Sequence, residues 1–481
     1  MRSGLIFKYI GVVLLLDSIF MLTAAMIACF NGPDSGFTAL MLSFILTEML
    51  GAFPMIFVRS RQQINAKEGY CIVTGAWLLS CLVGTFPYLL YGGEFNLVNA
   101  WFESVSGFTT TGATILVDIE ALPNSLLFWR SSTHWIGGIG VVMFVLAIMP
   151  SLGKTKSNLY SVELSSLAKD NFRYQAQTIV KILLVIYITL TILALLLLKL
   201  AGMTWFDAIN HAFSTVATGG FSTKNESIAA FDNVWIEIII CVFMFTSGLH
   251  FGLIYTTVTG KKNNVFRSEI ARYYFICTLV GVFIIAASLR LSGTYGTIGQ
   301  ALRYGLFQGV AIITTTGYTT ADFNLWTPIS MAILMFFTIQ CACAGSTSSG
   351  IKCDRVLLSF KVLRTRIRQQ QHPNAVFRIK LNGAVQEDST VNFAMLYIVI
   401  YMFFVIAGTL INTACGVDLM TGISASISCM SNVGPGFGGI GPTENFAYVP
   451  ELVKLSSTAL MLFGRLEIFG LIQLFLIKWW V

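Results

Sequence analysis

The fold is decided by the stretch Gly107-Phe108-Thr109-Thr110-Thr111-Gly112-Ala113-Thr114, which returns in altered form three more times along the chain. The other copies are Ala217-Thr218-Gly219-Gly220-Phe221-Ser222-Thr223, Thr315-Thr316-Gly317-Tyr318-Thr319-Thr320 and Ser431-Asn432-Val433-Gly434-Pro435-Gly436. Aligned on Gly112, Gly219, Gly317 and Gly434, the copies lie at intervals of roughly one hundred residues, and an internal repeat of that length predicts one structural unit used four times.

Composition places these copies in a membrane protein. The chain has 481 residues, of which 55% are hydrophobic and only 11% are charged. Soluble globular proteins carry about 25% charged residues, so a soluble protein is excluded. The ten cysteines are scattered and form no Cys-x-x-Cys pair, which predicts small packing residues rather than a disulfide framework or a zinc site.

Ten apolar runs are each close to the roughly 20 residues that a membrane helix needs, and the eighth is marginal. They lie near residues 5–30, 37–58, 69–91, 126–150, 175–200, 233–259, 268–292, 327–343, 389–413 and 449–479. Arg2 and Lys8 lie at the start of the first run, but the run is longer than the hydrophobic region of a signal peptide, so we interpret it as an uncleaved span. Shorter half-apolar segments near 96–110, 204–217, 298–315 and 418–431 each lead into one of the four glycine motifs.

The positive charges predict the orientation of the spans. Lys and Arg concentrate between the repeats, at residues 59–67, 154–181, 261–272 and 352–380, and the positive-inside rule places these linkers in the cytoplasm. The segments that follow the glycines face outward and carry acidic residues instead: Asp118, Glu120, Glu226, Asp232, Asp322 and Glu444. Each repeat therefore consists of a span, a half-helix, a glycine loop and a second span.

The predicted fold is an all-α polytopic membrane protein with four such repeats in pseudo-four-fold symmetry around a central pore, plus an N-terminal helix pair. The predicted units are residues 1–62 for the helix pair, 63–155 for repeat 1, 156–265 for repeat 2, 266–385 for repeat 3 with an interrupted second span, and 386–481 for repeat 4.

The half-helices have two interpretations. One is four interfacial amphipathic helices followed by ordinary turns, and the other is four pore helices that enter the membrane together. Non-helical backbone at membrane depth is tolerated only where protein or a water-filled cavity satisfies it, and four loops grouped about one axis meet that condition. A half-helix that points inward directs the partial negative charge of its C-terminus at the axis, which favours a cation. A ring of backbone carbonyls can then replace the hydration shell of a potassium ion.

With four motifs in this order, each after a pore-helix-like segment, the chain resembles the Trk/Ktr/HKT superfamily of potassium transporters, and within it the bacterial TrkH/TrkG group. The resemblance extends over essentially the whole chain, including the helix pair 1–62. It implies a potassium ion held by backbone carbonyls of residue pairs that each precede a glycine. These are Thr110 and Thr111 before Gly112, Ala217 and Thr218 before Gly219, Thr315 and Thr316 before Gly317, and Asn432 and Val433 before Gly434.

The fourth copy departs from the others, because Asn432 and Val433 replace the threonine pair and Pro435 follows the glycine. The resulting ring is not four-fold symmetric, which leaves the strictness of potassium selectivity open. For any single threonine, the alternative is a side chain that satisfies a local backbone group.

Two further features suggest a gate. The eighth apolar run is interrupted by Gly345, Ser346, Thr347, Ser348, Ser349 and Gly350, which are small or polar and break a helix. The resemblance implies an intramembrane loop here that obstructs the pore below the filter, and the alternative is a simple cytoplasmic turn.

The second feature is Arg465, which lies deep in the last apolar run, where a charge should face the bundle interior or water. Facing the pore, it would raise the barrier to cations. The alternative is a buried ion pair with a carboxylate such as Glu467 or Glu103.

The resemblance also implies partners. Its members are regulated by a separate cytoplasmic ring of RCK-type, TrkA-like subunits that bind nucleotides, and they form homodimers with one pore per protomer. Basic segments 151–181 and 352–388 offer cytoplasmic surfaces for such a ring, although positive-inside topology alone requires such charges. The expected surroundings are the lipids of the bacterial inner membrane, and no nucleic-acid partner is expected.

Two classes of function remain open. The first is channel-like potassium uptake through a filter and a gated passive pathway, and the second is a secondary transporter that couples potassium or sodium to protons by alternating access. The four repeats share one orientation, whereas alternating-access folds often contain inverted repeats, which favours the channel-like pathway.

An enzyme is not expected, because no Walker A, His-Glu-x-x-His or Ser-His-Asp arrangement is evident. The run Gly137-Gly138-Ile139-Gly140 lacks a βαβ context and predicts close helix packing. We interpret Glu103, His134, His211 and His250 as packing or capping residues.

Overall fold

The computed structural model describes residues 2–30, 34–58, 66–140, 176–260, 264–468 and 470–472. This part of the chain is almost entirely helical. Its helices are α1 (Ser3–Phe30), α2 (Phe37–Phe57), α3 (Ala66–Gly84), α4 (Phe86–Tyr91), α5 (Leu97–Phe108), α6 (Asn124–Ile139), α7 (Ala176–Leu200), α8 (Trp205–Val216), α9 (Val234–Ser247), α10 (Phe251–Val258), α11 (Glu269–Leu291), α12 (Ile298–Ile313), α13 (Pro328–Ile339), α14 (Cys353–Gln371), α15 (Asp388–Ala414), α16 (Leu419–Ser431) and α17 (Glu451–Arg465).

Strands are confined to two short pairs among the described residues. The first pair is parallel and joins β1 (Gln340–Cys341) to β2 (Ile351–Lys352), with Gln340 opposite Ile351. The second pair is an antiparallel hairpin of β3 (Lys380–Leu381) and β4 (Ala384–Val385). Single turns of 3-10 helix complete the structure at Ser227–Phe231, Phe323–Leu325 and Gly438–Ile440.

Membrane-length helices agree with the predicted spans. Among the described residues, six helical segments are long and apolar enough to cross a membrane, and a seventh results if α9 and α10 count as one bent span. The second spans of repeats 1, 3 and 4 are represented by the shorter helices α6, α13 and α17. The predicted fourth and tenth apolar runs extend into residues that the structure does not describe. The predicted unit boundaries near residues 62 and 155 also fall among those residues.

The four half-helices α5, α8, α12 and α16 form where the sequence predicts them. Each begins at a polar residue whose side-chain oxygen accepts a hydrogen bond from the backbone N–H three residues later, which stabilises the first turn. These capping residues are Asn96, Thr204, Thr297 and Asp418. The C-terminal halves of the four helices are buried, so each helix runs from the outer surface into the protein interior.

The N-terminal helix pair packs against repeat 1. Helices α1 and α2 approach closely where Gly11 faces Gly51, and a side chain at either position would collide with the other backbone. Polar groups inside this pair are paired across helices: Ser18 Oγ donates to Glu48 Oε2 at 2.6 Å, and Ser80 Oγ of α3 donates to Asp17 Oδ2 at 2.7 Å. Helix α1 also reaches α6 through the rings of Phe20 and Trp135.

The second spans of repeats 2 and 3 are both broken, and the two breaks contact each other. Helices α9 and α10 meet at an angle of 102°. At that bend, the carbonyl of Gly248 accepts from Cys343 N at 3.0 Å and Phe251 N donates to the carbonyl of Gly345 at 3.0 Å. The break in repeat 3 follows from its small polar residues, as predicted. The bend in repeat 2 was not predicted, because the backbone groups that it frees are satisfied by the other break.

Candidate functional site

The four glycine motifs form loops that meet around one axis. We call them loop 1 (residues 109–114), loop 2 (217–222), loop 3 (314–319) and loop 4 (431–436). A Cβ added to one glycine of each loop would overlap, or closely approach, a backbone carbonyl oxygen of the next loop. These contacts join Gly112 to Gly219, Gly220 to Thr316, Gly317 to Val433, and Gly434 back to Thr111. The contacts run from loop 1 through loops 2, 3 and 4 to loop 1, so the loops close into a ring.

Each loop repeats one backbone conformation. A residue with left-handed φ follows each half-helix, at Thr110 (53°), Thr218 (55°), Thr315 (60°) and Asn432 (57°). A glycine with positive φ follows two residues later, at Gly112 (78°), Gly220 (86°), Gly317 (74°) and Gly434 (102°). The intervening residue donates its N–H back to the half-helix at 2.8–3.0 Å: Thr111 to Ser106, Gly219 to Ser214, Thr316 to Ala311 and Val433 to Ser428.

This conformation corrects the predicted alignment of repeat 2 by one residue. The equivalent triplet there is Thr218-Gly219-Gly220, so Gly220 corresponds to Gly112 and Ala217 corresponds to Thr109. The sequence signal for the shift was the doubled glycine, which allows either residue to be aligned. Only the backbone angles and the return hydrogen bonds decide between the two registers.

The carbonyls of the first two residues of each triplet lack a hydrogen-bond partner among the described residues. No hydrogen bond within the described residues reaches the carbonyl oxygens of Thr110, Thr111, Thr218, Gly219, Thr315, Thr316, Asn432 or Val433. Buried backbone carbonyls are normally paired, so eight free ones in a single ring require an explanation. A desolvated cation on the axis would supply the missing partner.

Side chains in the loops are used for support. The hydroxyl groups of Thr109 and Thr111 lie 2.8 Å apart, and those of Thr314 and Thr316 repeat this arrangement at 2.8 Å. Asn432 takes a different position, because its Nδ2 donates to Thr111 Oγ1 at 2.9 Å and joins loop 4 to loop 1. The departure of the fourth copy from the threonine pattern is therefore compensated by an inter-loop hydrogen bond.

A polar cavity opens outward above the ring. It is lined by the positive-φ glycine of every loop, Gly112, Gly220, Gly317 and Gly434, together with Thr114, Thr319 and Glu444. At its rim, Asn225 Nδ2 donates to Asp118 Oδ1 at 2.8 Å and lowers the pKa of that carboxyl group. Asp118 is a carboxylate at neutral pH with or without this bond, and its negative charge attracts cations to the outer side of the ring.

The predicted intramembrane segment, here called the inner loop (residues 345–350), lies next to the ring, against the C-terminal end of α8 and loop 3. Thr347 Oγ1 donates to the carbonyl of Val216, the last residue of α8, at 3.1 Å. Ser349 N donates to Thr315 Oγ1 of loop 3 at 3.3 Å. Thr347, Ser348, Ser349 and Gly350 are buried. This placement differs from the alternative of an exposed cytoplasmic turn.

Arg465 holds the inner loop from repeat 4. Its Nη1 donates to the carbonyl of Thr347 at 2.8 Å and to Ser349 Oγ at 3.0 Å, and its Nη2 donates to the carbonyl of Gly137 at 2.6 Å. The side chain thus joins repeats 1, 3 and 4 at one point. Close packing of α6 on α5 at Gly137, predicted from the glycine run, brings that carbonyl within reach, since a Cβ there would collide with Phe108.

The two carboxylates considered for Arg465 each pair with another cation. Glu467 forms ion pairs with Lys352, whose Nζ lies 3.2 Å from Oε1, and with Arg355, whose Nη2 lies 2.6 Å from Oε2. Glu103 receives Arg130 Nε at 2.6 Å. Sequence reasoning missed Arg130 and Arg355, because nothing in their neighbouring residues indicates a partner so far along the chain.

Comparison with known proteins identifies the family. The profile of the TrkH family, described as cation transport protein, matches residues 37–479. The chain belongs to the TrkH family. It is 33% identical to the Trk system potassium uptake protein TrkH of Escherichia coli K12, over the full length of both chains, and 31% identical to TrkG of the same organism, over 97% of this chain and 96% of TrkG.

A solved structure supports the same assignment. The crystal structure of the potassium transporter TrkH from Vibrio parahaemolyticus matches this chain with a TM-score of 0.89 at 30% identity, covering 100% of both chains. This similarity confirms the predicted all-α polytopic membrane fold and the predicted family.

Proposed function

We propose that this TrkH family member takes up potassium across the bacterial inner membrane through a channel-like pathway. Its relatives in Escherichia coli and Salmonella typhimurium are named potassium uptake proteins. In the proposed pathway the potassium ion passes along the axis of the ring, where backbone carbonyls replace its hydration shell. The corrected triplets supply those carbonyls: Thr110-Thr111-Gly112, Thr218-Gly219-Gly220, Thr315-Thr316-Gly317 and Asn432-Val433-Gly434.

The observation that carries the proposal is the closed ring of loops with eight carbonyls that lack a partner among the described residues. The four half-helices point their C-termini at this ring, and the partial negative charges there favour a cation. Interfacial helices scattered over a lipid face would not bring Gly434 against Thr111.

The inner loop and Arg465 form the proposed gate. The loop contacts the end of α8 and loop 3, and in this proposal it separates the ring from the cytoplasm, with the positive charge of Arg465 at the same level. The inner loop blocks the path of a cation sterically, and the positive charge of Arg465 repels the cation. Opening requires the hydrogen bonds from Arg465 to Thr347 and Ser349 to break.

Partners are proposed on the family relationship. A cytoplasmic RCK-type, TrkA-like subunit that binds nucleotides would act on the inner loop through α14, which follows β2 directly and carries Lys361, Arg364, Arg366 and Arg368. The other predicted basic surface, 151–181, lies mostly outside the described residues. We further propose a homodimer embedded in membrane lipid, with one pathway in each protomer.

Ion flux into proteoliposomes tests the proposal. The full-length protein should take up rubidium, a potassium substitute, well in preference to sodium. Gly112→Ser should relax this preference, because the added side chain has no space beside the Gly219 carbonyl and φ is 78°.

A matched control is Gly416→Ser, since Gly416 has a φ of 87° but no atom within 4 Å of the place that a Cβ would occupy. This variant bears similar backbone strain away from the ring, and its rubidium preference should match the parent. Equal preference in the parent, Gly112→Ser and Gly416→Ser would place Gly112 outside the ion pathway and contradict the proposal.

A further inference from the structure

A buried ion pair lies behind the ring, between the half-helix and the second span of repeat 1. Arg130 Nε of α6 lies 2.6 Å from Glu103 Oε1 of α5, and the side chains are only 2% and 0% exposed. Placing two charges away from water is expensive unless each has further hydrogen bonds. The additional contacts of the pair go to glycine loops.

Glu103 binds the outgoing half of loop 1, which is the part of the chain that follows Gly112. Thr114 Oγ1 donates to both carboxylate oxygens, at 3.0 Å and 3.1 Å, and the backbone N–H of Ile115 donates to Oε2 at 3.1 Å. The segment that leaves Gly112 toward the outer surface is therefore attached to its own half-helix.

Arg130 holds loop 2. Its Nη1 donates to the carbonyl of Ser222 at 3.1 Å, and its guanidinium carbon lies 3.6 Å from the centre of the Phe221 ring. Phe221 also stacks on His134, whose ring centre lies 4.0 Å away. Arg130 thus connects the outgoing halves of two adjacent loops through one fixed planar group.

In three of the four repeats, the side chain at the same position of the half-helix forms hydrogen bonds to the chain that follows the loop glycine. Counted back from the left-handed residue of each loop, Glu103 corresponds to His211, Gln308 and Ala425. His211 Nε2 lies 3.0 Å from Ser222 Oγ in loop 2. Gln308, with its amide oriented by its partners, accepts from Thr320 N at 2.7 Å and donates to the carbonyl of Tyr318 at 3.3 Å. Repeat 1 differs in placing a carboxylate here, and its arginine partner extends the support to the next loop.

We infer that Glu103 and Arg130 are positioning residues for ion discrimination, which fix loop 1 against loop 2 and thereby set the spacing of their carbonyls. Neither residue contacts the permeating ion in this arrangement. The inference rests on the proposed function, because it assigns a role to residues behind the proposed filter. Carbonyl spacing and stiffness determine how well a ring distinguishes potassium from sodium, so loosening one junction should reduce selectivity rather than only stability.

The test compares rubidium and sodium uptake in proteoliposomes for the parent, Arg130→Gln and Glu103→Gln. The control variant is Arg303→Gln. Arg303 pairs with Glu237 at a similar distance, with Nε and Nη2 each 2.7 Å from a carboxylate oxygen, but its side chain is 28% exposed and the pair links α9 to α12 away from the glycine loops. We expect the rubidium-to-sodium ratio to fall at least about tenfold in Arg130→Gln and Glu103→Gln, equivalent to about 1.4 kcal/mol of discrimination. Arg303→Gln should keep the parental ratio.

Arg130→Lys provides a second variant, which keeps the positive charge beside Glu103. A lysine ammonium can pair with Glu103 but lacks the planar fork that also reaches Ser222, so the ratio should again fall. An unchanged ratio in folded Arg130→Lys or Arg130→Gln, with a selective parent, would overturn this inference alone. A parent without rubidium preference would instead overturn the proposed function on which it rests.

Discussion

At the scale of single residues, backbone strain marks the ring. Threonine is β-branched and rarely adopts left-handed angles, yet Thr110, Thr218 and Thr315 all do so. Such a conformation costs about 1–2 kcal/mol for a residue with a side chain. The strained conformation persists because the return hydrogen bond to each half-helix and the contact with the next loop hold the loop backbone in place. Strain that recurs at one position in three repeats indicates a functional constraint rather than a defect of packing.

Arg465 yields a prediction at this scale. Its removal in Arg465→Ala eliminates a positive charge below the ring and three hydrogen bonds to the inner loop and α6. A barrier lowered by about 1.4 kcal/mol raises a rate about tenfold, and we expect an increase of roughly that size in rubidium flux.

The control for this measurement is Arg290→Ala, which removes an exposed arginine in the last turn of α11. Flux should be unchanged in that variant. Parental flux in a well-expressed Arg465→Ala protein would show that Arg465 does not limit conduction.

At the scale of elements, the inner loop is a short connection held at its base by a strand pair. Helix α13 ends at Ile339, β1 pairs with β2, and α14 begins at Cys353. Cys353 N donates to the carbonyl of Ala342 at 3.0 Å, so both ends of the loop are attached to each other. The loop can therefore move only as far as this base and the bend at Gly248 allow.

Two cysteines at the base allow that movement to be tested. Cys343 Sγ and Cys353 Sγ are 3.6 Å apart and both are buried. We expect the oxidant diamide to join them once movement of the inner loop admits it to this buried base, with the two thiols losing two protons and two electrons that reduce the diazene to a hydrazine. The added covalent bond restricts the inner loop, and rubidium flux should fall until dithiothreitol reverses the oxidation.

Cys343→Ser should abolish the response to diamide, whereas Cys415→Ser, in the connection between α15 and α16, should retain it. Peptide mass spectrometry identifies the bridged peptides. A protein in which the bridge forms without any change in flux would contradict the requirement for movement at this base.

At the scale of the whole molecule, bonds between repeats hold the assembly around the axis. Glu467 of repeat 4 pairs with Lys352 and Arg355 of repeat 3, and all three side chains are at most 10% exposed. Arg355 also stacks on the ring of Tyr397 at 3.9 Å. This cluster joins the connection after α17 to the start of α14, immediately below the inner loop.

Removing the shared carboxylate should destabilise the molecule. Glu467→Gln removes the carboxylate that Lys352 and Arg355 share, and breaking a buried pair in this way costs about 3–5 kcal/mol. We expect a lower midpoint of thermal unfolding in detergent. Glu120→Gln is the control, because its pair with Lys224 at 3.2 Å is at the surface, with side chains 46% and 35% exposed, and exposed pairs contribute little. Equal midpoints for both variants would argue against a stabilising role for the cluster.

Much of the architecture could be predicted from local patterns. Apolar runs of membrane length, basic linkers and four glycine motifs each depend on neighbouring residues, so they predicted a polytopic fold of four repeats with half-helices that lead into the glycine loops. The break at residues 345–350 was predictable for the same reason, since small polar residues end a helix wherever they occur. The predicted unit boundaries stay a prediction.

Tertiary structure alone decided what depends on contacts between residues that are far apart in the sequence, most of them in different repeats. It set the register of Gly220, because the doubled glycine is locally ambiguous and the backbone angles, the return hydrogen bond to α8 and the contact with Thr316 all agree on one alignment. It bent the second span of repeat 2, because the inner loop supplies hydrogen bonds to the freed backbone. It also determined that Glu103 pairs with Arg130 and that Glu467 pairs with Arg355. A charge in a nonpolar interior needs a partner, but the residues next to it in the sequence do not indicate which one.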